Sequence, residues 1–211
     1  MITSKVNHSV FADEVRVYQT NTTDDFNNEL KIEMVSQGSE SILNRVDFKK
    51  SKNIKLIDTL SKIFSCVLKD YINELYEDTL LDNFEIYQDW SINVSYNGKA
   101  VYNHTHNECF ATITYYPQDT DNLEEHIFNK HYFEVRSGQL IISNSNGKAV
   151  WDRYAKGDRG KYLRITPKKG QAVIFQGHMP HFVVPSEINP RYCVTSFITL
   201  KSKHSTLTKI K

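Results

Sequence analysis

The chain has almost no net charge: 26 Lys and Arg stand against 25 Asp and Glu in 211 residues, a formal balance of +1. Nucleic-acid and membrane-surface binders usually concentrate a basic face, so this balance carries no strong nucleic-acid signal. Cysteine is scarce, with only Cys66, Cys109 and Cys193. An odd number inside apolar patterns reads as buried thiols in a reducing compartment, and disulfides are not expected. No apolar run approaches the roughly 20 residues a membrane-crossing helix needs. The opening MITSKVNHSVFADEV also lacks the basic start and apolar stretch of a secretory leader. The expectation is a soluble, cytoplasmic protein without a membrane partner; a homodimer is left open.

What is present is globular material, 39% hydrophobic and 24% charged, with 12 Tyr and 11 Phe. That length supports one domain, residues 1–211, with a core that needs no disulfide or structural metal. Residues 1–83 read as an N-terminal strand and helical support, 84–200 as the core, and 201–211 as a flexible polar tail.

The order of elements is informative. A first strand is expected around Val15–Tyr18, and Asn21-Thr22-Thr23-Asp24 reads as a helix start. From Ile54 to Tyr76, Ile57, Leu60, Phe64, Val67, Leu68, Tyr71 and Leu75 recur at three- and four-residue steps, which predicts a helix with one apolar stripe. At Trp90 the period changes to two: Trp90, Ile92, Val94 and Tyr96 alternate with polar residues, and Asn97-Gly98 closes the strand with a turn. Further strands are predicted at Phe110–Tyr116, Gln139–Ser143, Tyr162–Thr166, Gln171–Phe175, His181–Val184 and Tyr192–Leu200. Many strands without intervening helices exclude a parallel βαβ sheet. The predicted class is α+β, a two-sheet antiparallel jelly roll with the N-terminal helices packed on one sheet.

Two of the eight histidines lie in Tyr102-Asn103-His104-Thr105-His106. In extended backbone, residues i and i+2 project to the same side, so both imidazoles can reach one metal ion. His181, after the apolar strand at Gln171–Phe175, supplies a third ligand if the strands fold over one another. Three ligands on one side of a metal leave open positions, the arrangement with which non-haem Fe(II) enzymes bind a co-substrate and O2 together. Ten residues beyond His181, Arg191 begins an alternating strand. An inward-facing guanidinium there needs an anion, and a dicarboxylate meets that need through paired hydrogen bonds. His178 competes for the third ligand position but sits in a Gly-His-Met-Pro turn, as a rim residue would. His8, His126, His131 and His204 have no paired context and read as exposed.

Together these segments resemble a known family. Trp90-Ser91-Ile92-Asn93-Val94, Tyr102-Asn103-His104-Thr105-His106, Thr114-Tyr115-Tyr116-Pro117, Gly170-Gln171-Ala172-Val173-Ile174-Phe175, His181-Phe182-Val183-Val184-Pro185 and Arg191 resemble the 2-oxoglutarate/Fe(II)-dependent oxygenases related to prolyl 4-hydroxylases. The resemblance covers about Trp90 to Leu200. It implies a double-stranded β-helix, with Fe(II), 2-oxoglutarate and O2 as cofactor and co-substrates. It also implies hydroxylation of an unactivated C–H bond, with succinate and CO2 as products. Iron ligands then fall on His104, His106 and His181, and the co-substrate carboxylate on Arg191. Tyr115 is similar to the tyrosine that supplements that grip, with Tyr116 as the alternative; parity along the strand decides. The departure is His106, where most of the superfamily has Asp or Glu. His-x-His is similar to a phage-type branch, whereas His106-Asn107-Glu108 offers an alternative register in which Glu108 is the ligand. Were His106 no ligand, the open position could accept halide.

Two other functions compete: a cupin-like three-histidine dioxygenase or isomerase that uses no 2-oxoglutarate, and a non-catalytic module of the same fold. The first leaves Arg191 without a purpose; the intact residue set argues against the second. The substrate, a small molecule or a peptidyl side chain, is expected to be selected by Gln118–Arg136 and by Asn144–Gly160, which carries Trp151, Asp152, Arg153 and Arg159.

Overall fold

In the structure, a computed structural model that describes residues 2–10, 13–37, 51–76, 80–120, 137–143 and 162–203, the two long helices begin where the sequence supplies a cap. The strands β1 (Ile2–Val10) and β2 (Asp13–Thr20) pair first. Helix α1 (Asp24–Ser36) then starts at Thr23, whose hydroxyl accepts from the Phe26 N–H at 3.2 Å, with Asp24 and Asp25 favourably placed in the first turn. Helix α2 (Ile54–Leu75) starts at Asn53, whose side chain accepts from the Leu56 N–H. Its buried residues include Leu60, Phe64, Val67, Leu68 and Tyr71, the expected stripe. Truncating one of these, Leu60→Ala for example, costs about 2–5 kcal/mol.

After the short α3 (Leu80–Asn83) come eight strands: β3 (Phe84–Ser95), β4 (Val101–His104), β5 (Ala111–Tyr116), β6 (Leu140–Ser143), β7 (Tyr162–Ile165), β8 (Gln171–Gln176), β9 (His181–Val183) and β10 (Arg191–Ser202). They form a six-stranded sheet, β1-β2-β8-β5-β10-β3, and a four-stranded sheet, β4-β9-β6-β7. Every pairing is antiparallel, and the chain steps repeatedly between the two sheets. This winding is a double-stranded β-helix of the α+β class.

Alternation along the large sheet separates two compartments. Trp90, Ile92, Ala111, Ile113, Tyr115, Ile174, Val194 and Ile198 pack into the core formed with the helices, where Phe64 meets Trp90 edge to face at 5.3 Å. Val173, Phe175, Tyr116 and Cys193 face the opposite way, toward Leu140, Ile142, Ile165 and Val183 of the small sheet. The helices therefore buttress one face of the large sheet and leave the interior between the sheets to the site.

The structure corrects the sequence reading in several places. The strand expected at Val15–Tyr18 is the second arm of a hairpin that begins at Ile2. A four-residue strand, β4, carries His104. The last strand continues to Ser202, with Lys201 and Ser202 paired to Glu85 and Phe84, so the tail begins later than expected. Cys66 is exposed. Two residues on from Phe64 lies roughly 200° around the helix, on the face opposite the stripe. Cys193 is buried, as expected. The Asn97-Gly98 turn is present, with both φ angles positive at 57° and 65°, the conformation Asn and Gly tolerate best. Among the described residues, no helix is long and apolar enough to cross a membrane.

Candidate metal and co-substrate site

Sheet register brings the first two histidines together. His104 ends β4 directly opposite His181, the first residue of β9, and partners across a ladder project to the same face. His106 lies beyond the end of β4, in the loop leading to β5. The ring centroids are 4.2 Å apart for His104 and His181, 4.8 Å for His104 and His106, and 5.1 Å for His106 and His181. The candidate ligand atoms of all three lie within 4.8 Å of one another, a grouping found nowhere else among the described residues.

Backbone carbonyls orient two of these rings. His104 Nδ1 lies 2.7 Å from the Tyr102 carbonyl, and His181 Nδ1 lies 2.9 Å from the Met179 carbonyl. A carbonyl only accepts, so each Nδ1 carries the proton and each Nε2 keeps its lone pair for a metal. Burial pushes the His181 pKa down to about 3, and the neighbouring His104 and His106 lower it further, while the bond to Met179 opposes the shift. The ring is therefore neutral and ligand-ready at physiological pH. Two phenylalanines brace the set edge-on: Phe175 at 4.7 Å from His181 and Phe197 at 4.8 Å from His106.

The histidines line a cavity of about 430 Å³ between the sheets. Arg191, the first residue of β10, stands in the same cavity and is only 2% exposed. Among the described residues it has no carboxylate partner, and its Nε has no hydrogen-bond partner. A buried guanidinium in this condition is costly unless an anion arrives. Its carbon lies 5.7 Å from the centroid of the Tyr116 ring. Burial raises the Tyr116 hydroxyl pKa, while the nearby guanidinium opposes that rise. Burial likewise pushes the Cys193 thiol up. The described wall contains no Asp or Glu. Apart from Arg191 and the histidines, its polar surface consists of neutral groups, among them Ser91, Asn93, Thr112, Thr114 and Thr195.

The structure brings His104, His106, His181 and Arg191 to one cavity. It does not bring Tyr115 there, and this corrects the sequence reading. Tyr115 faces the helices, where its hydroxyl donates to Asn27 Oδ1 at 2.6 Å and lies 2.8 Å from the Thr22 hydroxyl. Burial pushes its pKa up to about 12 against the pull of those neighbours. Tyr116, of opposite parity, is the one beside Arg191. Glu108 and His178 are exposed and do not line the cavity. Phe175 and Phe197 escaped the sequence reading; register with β5, where both stand opposite Thr112, would have pointed to them. His126, His131, His204, residues 121–136 and 144–161, and the side chain of His8 lie outside the described residues.

The family described as "Putative 2OG-Fe(II) oxygenase" matches residues 88–197, more than half of the chain. The chain belongs to that family: it is a 2-oxoglutarate- and Fe(II)-dependent oxygenase, with O2 as the second co-substrate. No curated protein matches the sequence. Solved structures resemble it in fold. A Trichoplax adhaerens prolyl hydroxylase, in complex with a hypoxia inducible factor peptide fragment, aligns with TM-score 0.55 and 16% identity over 88% of this chain and 83% of its own. A viral collagen prolyl hydroxylase from Paramecium Bursaria Chlorella virus-1 gives 0.54 and 13%, over 89% and 90%. EvdO2 from Micromonospora carbonacea, complexed with 2-oxoglutarate, gives 0.53 and 10%, over 89% and 87%.

Proposed function

We propose that Fe(II) is held by His104, His106 and His181, and that Arg191, helped by Tyr116, takes the far carboxylate of 2-oxoglutarate. The chain then hydroxylates an unactivated C–H bond: substrate, O2 and 2-oxoglutarate give hydroxylated substrate, succinate and CO2. The observation that carries this reading is the buried guanidinium of Arg191, without a carboxylate partner among the described residues, sharing one cavity with three converging imidazoles. The residues fit the metal, because two rings have their Nδ1 protons engaged and His181 stays neutral. Bound iron supplies the redox chemistry that activates O2 with electrons from the keto acid.

The protein supplies orientation and dryness. Arg191 fixes one end of the keto acid with a two-pronged grip, so its other end is directed at the histidines. Leu140, Phe175 and Val183 line the space between and keep water out. A third neutral imidazole in place of a carboxylate leaves the metal set one charge more positive, and the co-substrate dianion offsets it. The wall around Ser91, Asn93, Tyr102 and Asn103 offers hydrogen bonds without formal charge, which suits a small molecule or peptidyl segment carrying neutral polar groups beside the reacting C–H. The peptide complex of the Trichoplax enzyme is compatible with the peptidyl version.

Succinate formation by the Fe(II)-loaded protein tests the reading. It should require both O2 and 2-oxoglutarate and fall at least ~100-fold in Arg191→Ala. Succinate output at the wild-type level in that variant would remove Arg191 from its role.

A further inference from the structure

His104 and His181 are fixed by a strand ladder, but His106 lies in a loop and needs another anchor. That anchor is the turn between β8 and β9. The His106 N–H donates to the Gly177 carbonyl at 2.7 Å, the Cys109 N–H to the His106 carbonyl at 2.8 Å, and the Gly177 N–H to the Phe110 carbonyl at 3.3 Å. The loop is thus docked backbone to backbone on Gly177, four residues before His181. A Cβ at position 177 would lie 2.2 Å from the Cys109 carbonyl oxygen and 2.5 Å from the His106 carbonyl oxygen. Both atoms are backbone and cannot swing aside. Position 177 lies outside the left-handed region, unlike Gly98, Gly138 and Gly170, so only space, and not backbone conformation, forbids a side chain.

We infer that Gly177 is a positioning residue: the absence of its side chain lets the His106 loop dock and thereby sets the spacing between the second and third metal ligands. The inference rests on the three-histidine reading above. Any side chain at 177 lifts the loop by the width of the clash and withdraws His106 from the other two rings. Phe197, edge-on to His106, braces the ring.

The test is an anaerobic titration with Fe(II), repeated with Co(II) so that its visible absorption reports the ligand set. It uses the wild type, Gly177→Ala, His106→Ala and the double variant. Gly177→Ala should weaken metal binding by about 10- to 100-fold, with a Co(II) spectrum like that of His106→Ala. The double variant should bind no more weakly than His106→Ala alone, because a positioning effect has nothing left to position. Wild-type affinity in Gly177→Ala, or losses that multiply in the double variant, overturns the inference. An unchanged affinity in His106→Ala overturns the three-histidine reading itself, a distinguishable outcome. If Gly177→Ala does not fold, amide exchange in the metal-free wild type decides: the His106 and Cys109 amides should be protected, and exchange at the rate of an open loop overturns the inference.

Discussion

Two arginines, Arg16 and Arg191, are each 2% exposed, and their surroundings could hardly differ more. Arg16 projects from β2 toward the helices. Its Nη2 lies 2.8 Å from Glu14, its Nη1 lies 2.8 Å from Glu74, and its guanidinium carbon sits 5.5 Å from the centre of the Tyr71 ring. Arg191 projects from β10 into the cavity and finds no carboxylate among the described residues. A buried cation needs a counter-charge. For Arg16 the chain provides it; for Arg191 none of the described residues does, and under the proposed reading the co-substrate would. The same contrast runs through the sheet, whose helix side holds a charge cluster and whose inner side holds the cavity.

The comparison can be broken at several points. The largest effect is expected on ligand binding: Arg191→Met should weaken 2-oxoglutarate about 100-fold, on the order of 3 kcal/mol, as measured by calorimetry on the metal-loaded protein. The same change should leave the melting temperature of the ligand-free protein equal or higher, since it removes a buried charge that no described carboxylate compensates. Arg16→Met should do the reverse, costing about 1–2 kcal/mol in denaturant unfolding while 2-oxoglutarate affinity holds.

The adjacent tyrosines sharpen the point. Tyr115→Phe should cost about 1 kcal/mol of stability, because Asn27 and Thr22 lose a buried partner, with no change in co-substrate affinity. Tyr116→Phe should weaken 2-oxoglutarate several-fold, on the order of 1 kcal/mol, with stability nearly unchanged.

The smallest effect concerns pH. Burial tends to raise the Asp70 carboxyl, but bonds from Tyr18 at 2.8 Å and Lys5 at 3.0 Å hold it below the usual carboxylate range. Its folded pKa is depressed, so its contribution is present above the unfolded value near 4 and is lost as pH falls through the folded one. Asp70→Asn should flatten the acid limb of a stability-versus-pH curve, whereas Arg191→Met should leave that limb alone.

The sequence made some of this visible through periodicity and spacing. The stripe of α2 and the alternation of β3 are long enough for their periods to be unmistakable, and the order His-x-His, His, Arg pointed to the four residues that line the cavity. The β1–β2 hairpin was less legible, because Ile2–Val10 is largely polar. The β4 strand has four residues and no buried one. Tyr115 and Tyr116 could not be told apart because every residue of β5 is buried. With both faces covered, alternation in burial disappears, and only register with the neighbouring strands β8 and β10 reveals which side faces the cavity. Nor was His106 positioned by the two-residue spacing that drew attention to it: it is off the strand, held by a turn seventy residues away in sequence.

The claim that Arg191 awaits a carboxylate is tested most directly by comparing 2-oxoglutarate with 2-oxovalerate, which keeps the keto acid but lacks the far carboxylate. Anaerobic binding to the Fe(II)-loaded wild type and to Arg191→Met is the measurement. The wild type should prefer 2-oxoglutarate strongly, and the preference should vanish in Arg191→Met. A preference that survives the substitution would contradict the account, because something other than Arg191 would then be reading the carboxylate.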